Sequence, residues 1–419
     1  MVLVAALAAG CEGPGFTIST ITHPQTTLPA GAATTTPAPL ATSSPATAPT
    51  MVVIPQAARD ALATMTLRAK AAQVLLVAFD GTTLTDATRA GFASGAPGGV
   101  LLLGRNVAGE SQLRRLTAAL QQAAASSGSP GLFVAADEEG GQVMRVKAGV
   151  PAVPAARVLG TTGSATQAGA LAGKTAAGLM GQGVNMVLGP VADVVADKGS
   201  FLFARSFGDQ PATVSDFAAS VTAGFRDRGI VTVVKHFPGH GSAPDDSHIS
   251  APVSTASRAE FESVHLPPFR AAIAAGADGV MVGHFVAPAF DPLHPASQSA
   301  AIIEDLLRGE LQFRGLVVSD DLEMAAATGH AGDIGTASPA ELGEAAVGCL
   351  AAGCDLLITT GTYARQQAIE QAIVDAVGTG KLSRERLDEA VGRVLAAKLA
   401  HGLPLPARPA GPQDSPAGG

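Results

Sequence analysis

Eight short apolar runs punctuate this chain, and Ala-rich amphipathic stretches separate them. That alternation constrains the fold more than any other feature. The runs occupy residues 73–79, 99–103, 132–136, 184–188, 230–234, 279–282, 316–319 and 355–358. Continuous Val, Leu and Ile runs fit strands buried on both faces, the signature of a parallel sheet. Helical patterns lie between them, over 111–125, 165–181, 212–228, 258–275, 340–351 and 382–400. Asp209, ahead of Pro211, is placed to cap the third, and Ser383 opens the last. Eight strands alternating with helices predict an α/β chain folded as a single (β/α)8 barrel, with a doubly wound open sheet as the alternative. No GxGxxG follows the first run and no P-loop is present, which counts against nucleotide-binding sheets.

Composition narrows the function. The 419 residues carry 27 Lys plus Arg against 35 Asp plus Glu, a formal charge of −8. An acidic balance argues against a nucleic-acid binder, which needs a basic face. The mean hydropathy of +0.30 rests on Ala rather than on a spanning helix. Three Cys are too few for a disulfide scaffold, and Cys349 and Cys354, in Ala/Leu-rich surroundings, are expected to be free and buried. With no Trp and one Tyr, aromatic platforms for stacking on sugars are scarce. No HExxH, CxxC or EF-hand spacing points to a metal, and no cofactor is expected. A monomer is expected.

The ends read differently from the body. Residues 1–11 form an apolar run closing on Ala8-Ala9-Gly10-Cys11, which resembles a bacterial lipobox with Cys11 as the lipidated residue. Ala8 stands where Leu is usual, and no basic residue precedes the run. Residues 12–55, rich in Thr, Pro, Ala and Ser, show no period and predict a disordered tether. The barrel is expected over 56–402, with a Pro-rich tail at 403–419. An extracytoplasmic lipoprotein, held at the outer face of the cell membrane by its lipid alone, follows from these ends.

A barrel's active site lies at the C-terminal ends of its strands. Just past five runs stand Asp137-Glu138-Glu139, Asp193, Lys235-His236, His284 and Asp320-Asp321. Five charged endings in register predict one shared polar pocket.

The run Lys235-His236-Phe237-Pro238-Gly239-His240-Gly241, followed by Asp246-Ser247-His248, resembles the signature of glycoside hydrolase family 3. Gly98–Asn106, Asp137–Arg145, Phe203–Gly208 and Ser319–Met324 match the same family in the same order, over roughly residues 60–400. The nearest branch is similar to the bacterial β-N-acetylglucosaminidases of peptidoglycan turnover. The resemblance implies a retaining hydrolase that removes terminal GlcNAc from muropeptides. A β-glucosidase, a phosphorolytic variant or a non-catalytic sugar-binding lipoprotein are the alternatives.

Retaining hydrolysis needs a nucleophile on one side of the sugar and a proton donor on the other. The family uses the first Asp after the Ser, which makes Asp320 the expected nucleophile and Asp321 its rival. It uses a loop histidine as acid/base, and His248 matches. Imidazole titrates near working pH, so it can give and retake a proton. Asp246, two residues earlier, would fall on the same side in an extended segment and orient the ring. His236 and His240 are rival bases. Asp137, Arg145, Arg205, Lys235 and His236 correspond to family positions that hold the terminal sugar's hydroxyls. Gly140-Gly141 would let backbone approach the ligand. Glu138 replaces a common Gln, Gln142 replaces a common Arg, and Asp193 reads as a loop-fixing carboxylate.

Overall fold

The computed structural model describes residues 54–92, 95–243, 245–248, 250–329 and 334–406. Each apolar run forms a strand: β1 (Leu75–Val77), β2 (Gly99–Leu102), β3 (Phe133–Ala136), β4 (Met186–Val191), β5 (Val231–Phe237), β6 (Gly279–Val282), β7 (Leu316–Asp321) and β8 (Leu356–Thr359). Sequential strands pair in parallel, and Leu75 of β1 lies opposite Leu357 of β8, which closes the barrel. The (β/α)8 expectation holds, and the open sheet is excluded.

Strand residues alternate between two apolar layers. Leu76, Leu101, Phe133, Met186, Val233, Met281, Val318 and Ile358 fill the barrel interior. Their neighbours Val77, Val100, Val134, Val187, Val234, Val280 and Val317 face the helices. Burial on both sides explains why the runs have no polar alternation. Strands β4, β5 and β7 extend beyond their apolar runs, so Lys235, His236, Asp320 and Asp321 belong to strands rather than to loops.

The helices form largely where their patterns predict, with instructive differences. Ser383 caps Arg384–Ala400 by accepting from Arg386 N–H. Asp209 does not cap Pro211–Arg226: Gln210 takes the cap position without a side-chain bond, and Pro211 begins the helix. The expected helix at 258–275 is divided into Arg258–Glu260, a wider π turn at Phe261–His265, and Leu266–Ala274. Pro267 and Pro268 cannot donate backbone hydrogen bonds, so they fit only in a helix's first turn.

The two buried cysteines are not free. Cys349 and Cys354 are joined by a disulfide, with their Cα atoms 5.4 Å apart. Cys349 lies in the last turn of helix Pro339–Ala352, and Gly353, at φ +119°, reverses the chain into β8. The reversal brings Cys354 N–H to the Cys349 carbonyl at 3.0 Å.

The expected lipobox, Cys11 and most of the tether fall outside the described residues, as does the tail beyond Pro406. Residues 403–406, expected as tail, lie on the body: Gly131 N–H donates to the Pro404 carbonyl at 2.8 Å, and Leu403 packs against the barrel-interior cluster.

Candidate active site

At the C-terminal end of the barrel, a cavity of about 390 Å³ brings together Asp137, Arg145, Arg205, Lys235, His236, His248 and Asp320. These are seven of the eight catalytic and sugar-binding candidates. The eighth, Asp246, stands behind His248 and holds it.

Asp320 sits near the end of β7. Burial alone would push its carboxyl up, but the imidazoles of His236 and His284 and the Asp321 N–H outweigh this, and it is held at about 2. Asp321 N–H reaches Asp320 Oδ1 at 2.8 Å. Asp320 is therefore an anion at any working pH, as a nucleophile requires. Asp321 is engaged elsewhere. It accepts from the backbone N–H groups of Glu323 and Thr360, both at 3.1 Å, and from the Thr360 hydroxyl. Burial pushes its carboxyl up to about 6. Its bonds tie β7 to the turn after β8, which leaves Asp320 as the free carboxylate.

His248 shares a hydrogen bond between Nδ1 and Asp246 Oδ1 at 2.6 Å. The same oxygen accepts the His248 backbone N–H at 3.0 Å. The pair is therefore built on a turn closed by the Asp side chain rather than on an extended segment, and the turn brings residues i and i+2 together. With Nδ1 occupied, Nε2 is the nitrogen left for substrate. Phe201 packs edge-on against His248 and His240, with centroids 5.8 and 5.3 Å away.

The rival histidines are fixed. Fully buried Asp193 receives His236 Nδ1 at 2.7 Å and the His240 backbone N–H at 2.7 Å. Burial opposes its charge, but His236 and His240 outweigh burial and hold it low. Asp193 is thus a carboxylate that orients the strand end, in line with its loop-fixing reading. Burial pushes His240 down to about 4 and so keeps it neutral, and its Nε2 is spent on Ser247 at 2.9 Å. His284, fully buried just past the end of β6, is likewise lowered by burial.

The cavity wall beside β3 is a charge network. Lys235 Nζ lies 2.6 Å from Asp137 and 2.7 Å from Glu139. Arg205 grips Glu139 through two bonds, at 2.7 and 2.8 Å. Burial would raise Glu139, but Lys235 and Arg205 outweigh it and keep the carboxylate charged. Burial would lower Lys235, and Asp137 and Glu139 outweigh it in turn. Arg145 lies 3.5 Å from Asp137 at the more exposed rim. Glu139 is the member that sequence reasoning left without a role. Its position beside Asp137 was visible, but not the direction of its side chain.

Gly140 and Gly141 serve neighbouring backbone rather than a ligand. A Cβ on Gly140 would meet the Pro154 carbonyl at 2.4 Å, and one on Gly141 would meet Ala155 at 2.8 Å. Both have positive φ, +91° and +58°, which L side chains disfavour.

The comparisons agree with this geometry. Residues 66–397 match the glycosyl hydrolase family 3 N terminal domain. A beta-hexosaminidase of Xylella fastidiosa (strain M23) is 34% identical over 330 residues, covering 75% of this chain and 94% of that protein. A glycoside hydrolase family 3 beta-N-acetylglucosaminidase from Paenibacillus sp. str. FPU-7 superimposes with a TM-score of 0.76 at 38% identity, covering 81% of this chain and 63% of that longer one. Beta-N-acetylhexosaminidase from Beutenbergia cavernae gives a TM-score of 0.72 at 31% identity, covering 80% of this chain and 99% of that one. With the family match running through every cavity-lining candidate named above, the chain belongs to glycosyl hydrolase family 3.

Proposed function

We propose that this chain is an exo-acting, retaining β-N-acetylglucosaminidase that removes terminal β-GlcNAc from peptidoglycan fragments. The observation that carries the reading is one cavity with three parts: a charged carboxylate, Asp320; an oriented imidazole, His248; and a polar clamp beside β3. A pyranose hydroxyl is held best by charged partners, and Asp137, Lys235, Arg205 and Arg145 supply both signs.

In the first step the Asp320 carboxylate attacks the anomeric carbon. The glycosidic bond breaks as His248 Nε2 gives its proton to the leaving oxygen, and a glycosyl-enzyme ester results. In the second step neutral His248 takes a proton from water. The resulting hydroxide equivalent opens the ester, frees the sugar and regenerates Asp320. Asp246 stabilises the protonated ring and fixes its tautomer.

The Cys349–Cys354 disulfide supports an oxidising compartment, where such bonds persist. It fits a lipoprotein anchored through Cys11 at the outer face of the membrane. Cys11→Ser would then release the protein into the medium, and continued sedimentation with membranes would refute the anchor.

Release of nitrophenolate from an aryl β-GlcNAc, compared with the aryl β-glucoside, tests the activity. Preference for the glucoside would make the protein a β-glucosidase. A large acceleration by inorganic phosphate, with a sugar phosphate as product, would make it a phosphorylase. No turnover of either substrate would leave only binding.

A further inference from the structure

Glu138 lies outside the reaction scheme above, yet its carboxyl is buried beside the sugar clamp. It opens a short hairpin in which Glu138–Gly140 pairs with Val143–Met144, and Glu138 stands opposite Met144. The two clamp residues flank this hairpin: Asp137 precedes it and Arg145 follows it. Arg145 N–H donates to the Asp137 carbonyl at 3.1 Å. One residue further on, Glu138 Oε1 accepts the Val146 N–H at 2.6 Å. That bond joins the residue after Asp137 to the residue after Arg145, and so closes the open end of the hairpin. Among the described residues, Glu138 Oε2 is buried with no hydrogen-bond partner. It borders a small cavity of about 30 Å³ whose wall also includes Glu139, Thr175 and Arg205.

We propose that Glu138 is the positioning residue of the clamp: its carboxyl holds Arg145 against Asp137 and thereby sets the affinity for the terminal sugar. The proposal rests on the reading of Asp137 and Arg145 as sugar-binding groups.

The surroundings of Glu138 also fix the form in which it acts. Burial pushes its carboxyl up to about 8 against the opposing backbone bonds from Val146 and Arg145. At neutral pH it is a neutral acid, close in shape to a glutamine amide and, like it, with a carbonyl oxygen that accepts and a second group that donates. The charged groups around it are Asp137 and Arg145 at the two ends of its hairpin, Glu139 next to it on the same strand, and Arg205 on the wall of the small cavity. Strand β4 and helix Ala165–Met180 present no charged group there, only Pro190, Val191, Ala168, Ala172 and Thr175. Ionised Glu138 would compete with Asp137 for Arg145, so KM should rise as pH passes about 8.

The experiment measures KM and kcat on aryl β-GlcNAc from pH 6 to 9.5 for the full chain and for Glu138→Gln, Glu138→Met and Arg145→Ala. Glu138→Met should raise KM roughly five- to tenfold with kcat nearly unchanged, the scale of one lost hydrogen bond acting on ground-state binding. Glu138→Gln should recover most of that loss and abolish the alkaline rise in KM. If Arg145→Ala leaves KM unchanged, the clamp reading fails and the proposal fails with it. If Arg145→Ala raises KM but Glu138→Met does not, the positioning role alone is overturned. Should Glu138→Met not fold, the Gln variant decides: an alkaline rise in KM equal to that of the wild type refutes the proposal.

Discussion

Asp321 donates its own backbone N–H to the Asp320 carboxylate at 2.8 Å while its side chain binds Thr360, just past the end of β8. Two adjacent acids on one strand thus divide the work. Side chains alternate along a strand, so residues i and i+1 leave it in different directions. Both border the cavity, but the Asp321 carboxylate is spent on Glu323 and Thr360 and fixes the backbone that presents Asp320.

Asp320→Asn should lower kcat by several powers of ten with little change in stability, because the amide keeps the shape but loses the nucleophile. Asp321→Asn should behave in the opposite way. The amide oxygen still accepts the Glu323 and Thr360 N–H groups, but without its charge, and the amide nitrogen cannot accept the Thr360 hydroxyl proton, so stability should drop by about 1 kcal/mol, with a smaller effect on rate. Urea unfolding together with steady-state kinetics on both variants checks the division. Comparable losses of kcat in the two would refute it.

The Asp246–His248 pair predicts unequal sensitivity to the leaving group. A sugar alkoxide needs a proton as the bond breaks, whereas a nitrophenolate hardly does. General acid–base assistance contributes about 10²–10⁴-fold. His248→Ala should therefore lose more kcat/KM on a disaccharide than on an aryl glycoside. With the aryl substrate the glycosyl-enzyme should accumulate as a burst, and azide, which needs no base, should accelerate turnover. Asp246→Ala should show a weaker form of the same pattern. Equal losses on both substrates, without burst or azide rescue, would transfer the acid/base role to another group.

Much of this was legible because it follows from burial. Strands sandwiched between a barrel interior and a helical layer must be apolar at every position, so the eight runs stand out in the sequence. Lys235 and Asp320 were visible as charges ending such runs. Orientation was not visible: Asp137 and Glu139 are both acids, and only the folded hairpin shows both of them on Lys235 Nζ. The disulfide was hidden for a similar reason. Cys354 stands five positions after Cys349, and their pairing depends on the chain reversal at Gly353. The Gly140-Gly141 pair was legible as close approach, but the approaching partner is the segment at Pro154 and Ala155.

At the opposite end of the barrel, Lys398 is fully buried, with Nζ 2.8 Å from Gln73 Oε1 and 5.5 Å from the centre of the Phe133 ring. Burial pushes its ammonium down to about 7. The unfolded chain keeps this proton up to the ordinary lysine pKa of about 10.4. Between these two values the unfolded state binds more protons than the folded state, so this site makes stability rise with pH across that window. Below about 7 both states hold the proton, and the cost of burying the charge is present in full. Lys398→Met should remove the dependence. Its apolar stem fills similar space, at the cost of leaving Gln73 Oε1 without its donor, about 1–3 kcal/mol. Urea unfolding at pH 7 and at pH 10 should show a smaller difference for the variant than for the parent chain. Its kcat should be unchanged, since Asp320 and His248 lie at the other end of the strands. An identical pH dependence of stability in the two proteins would mean that Lys398 keeps its ordinary pKa in the folded barrel.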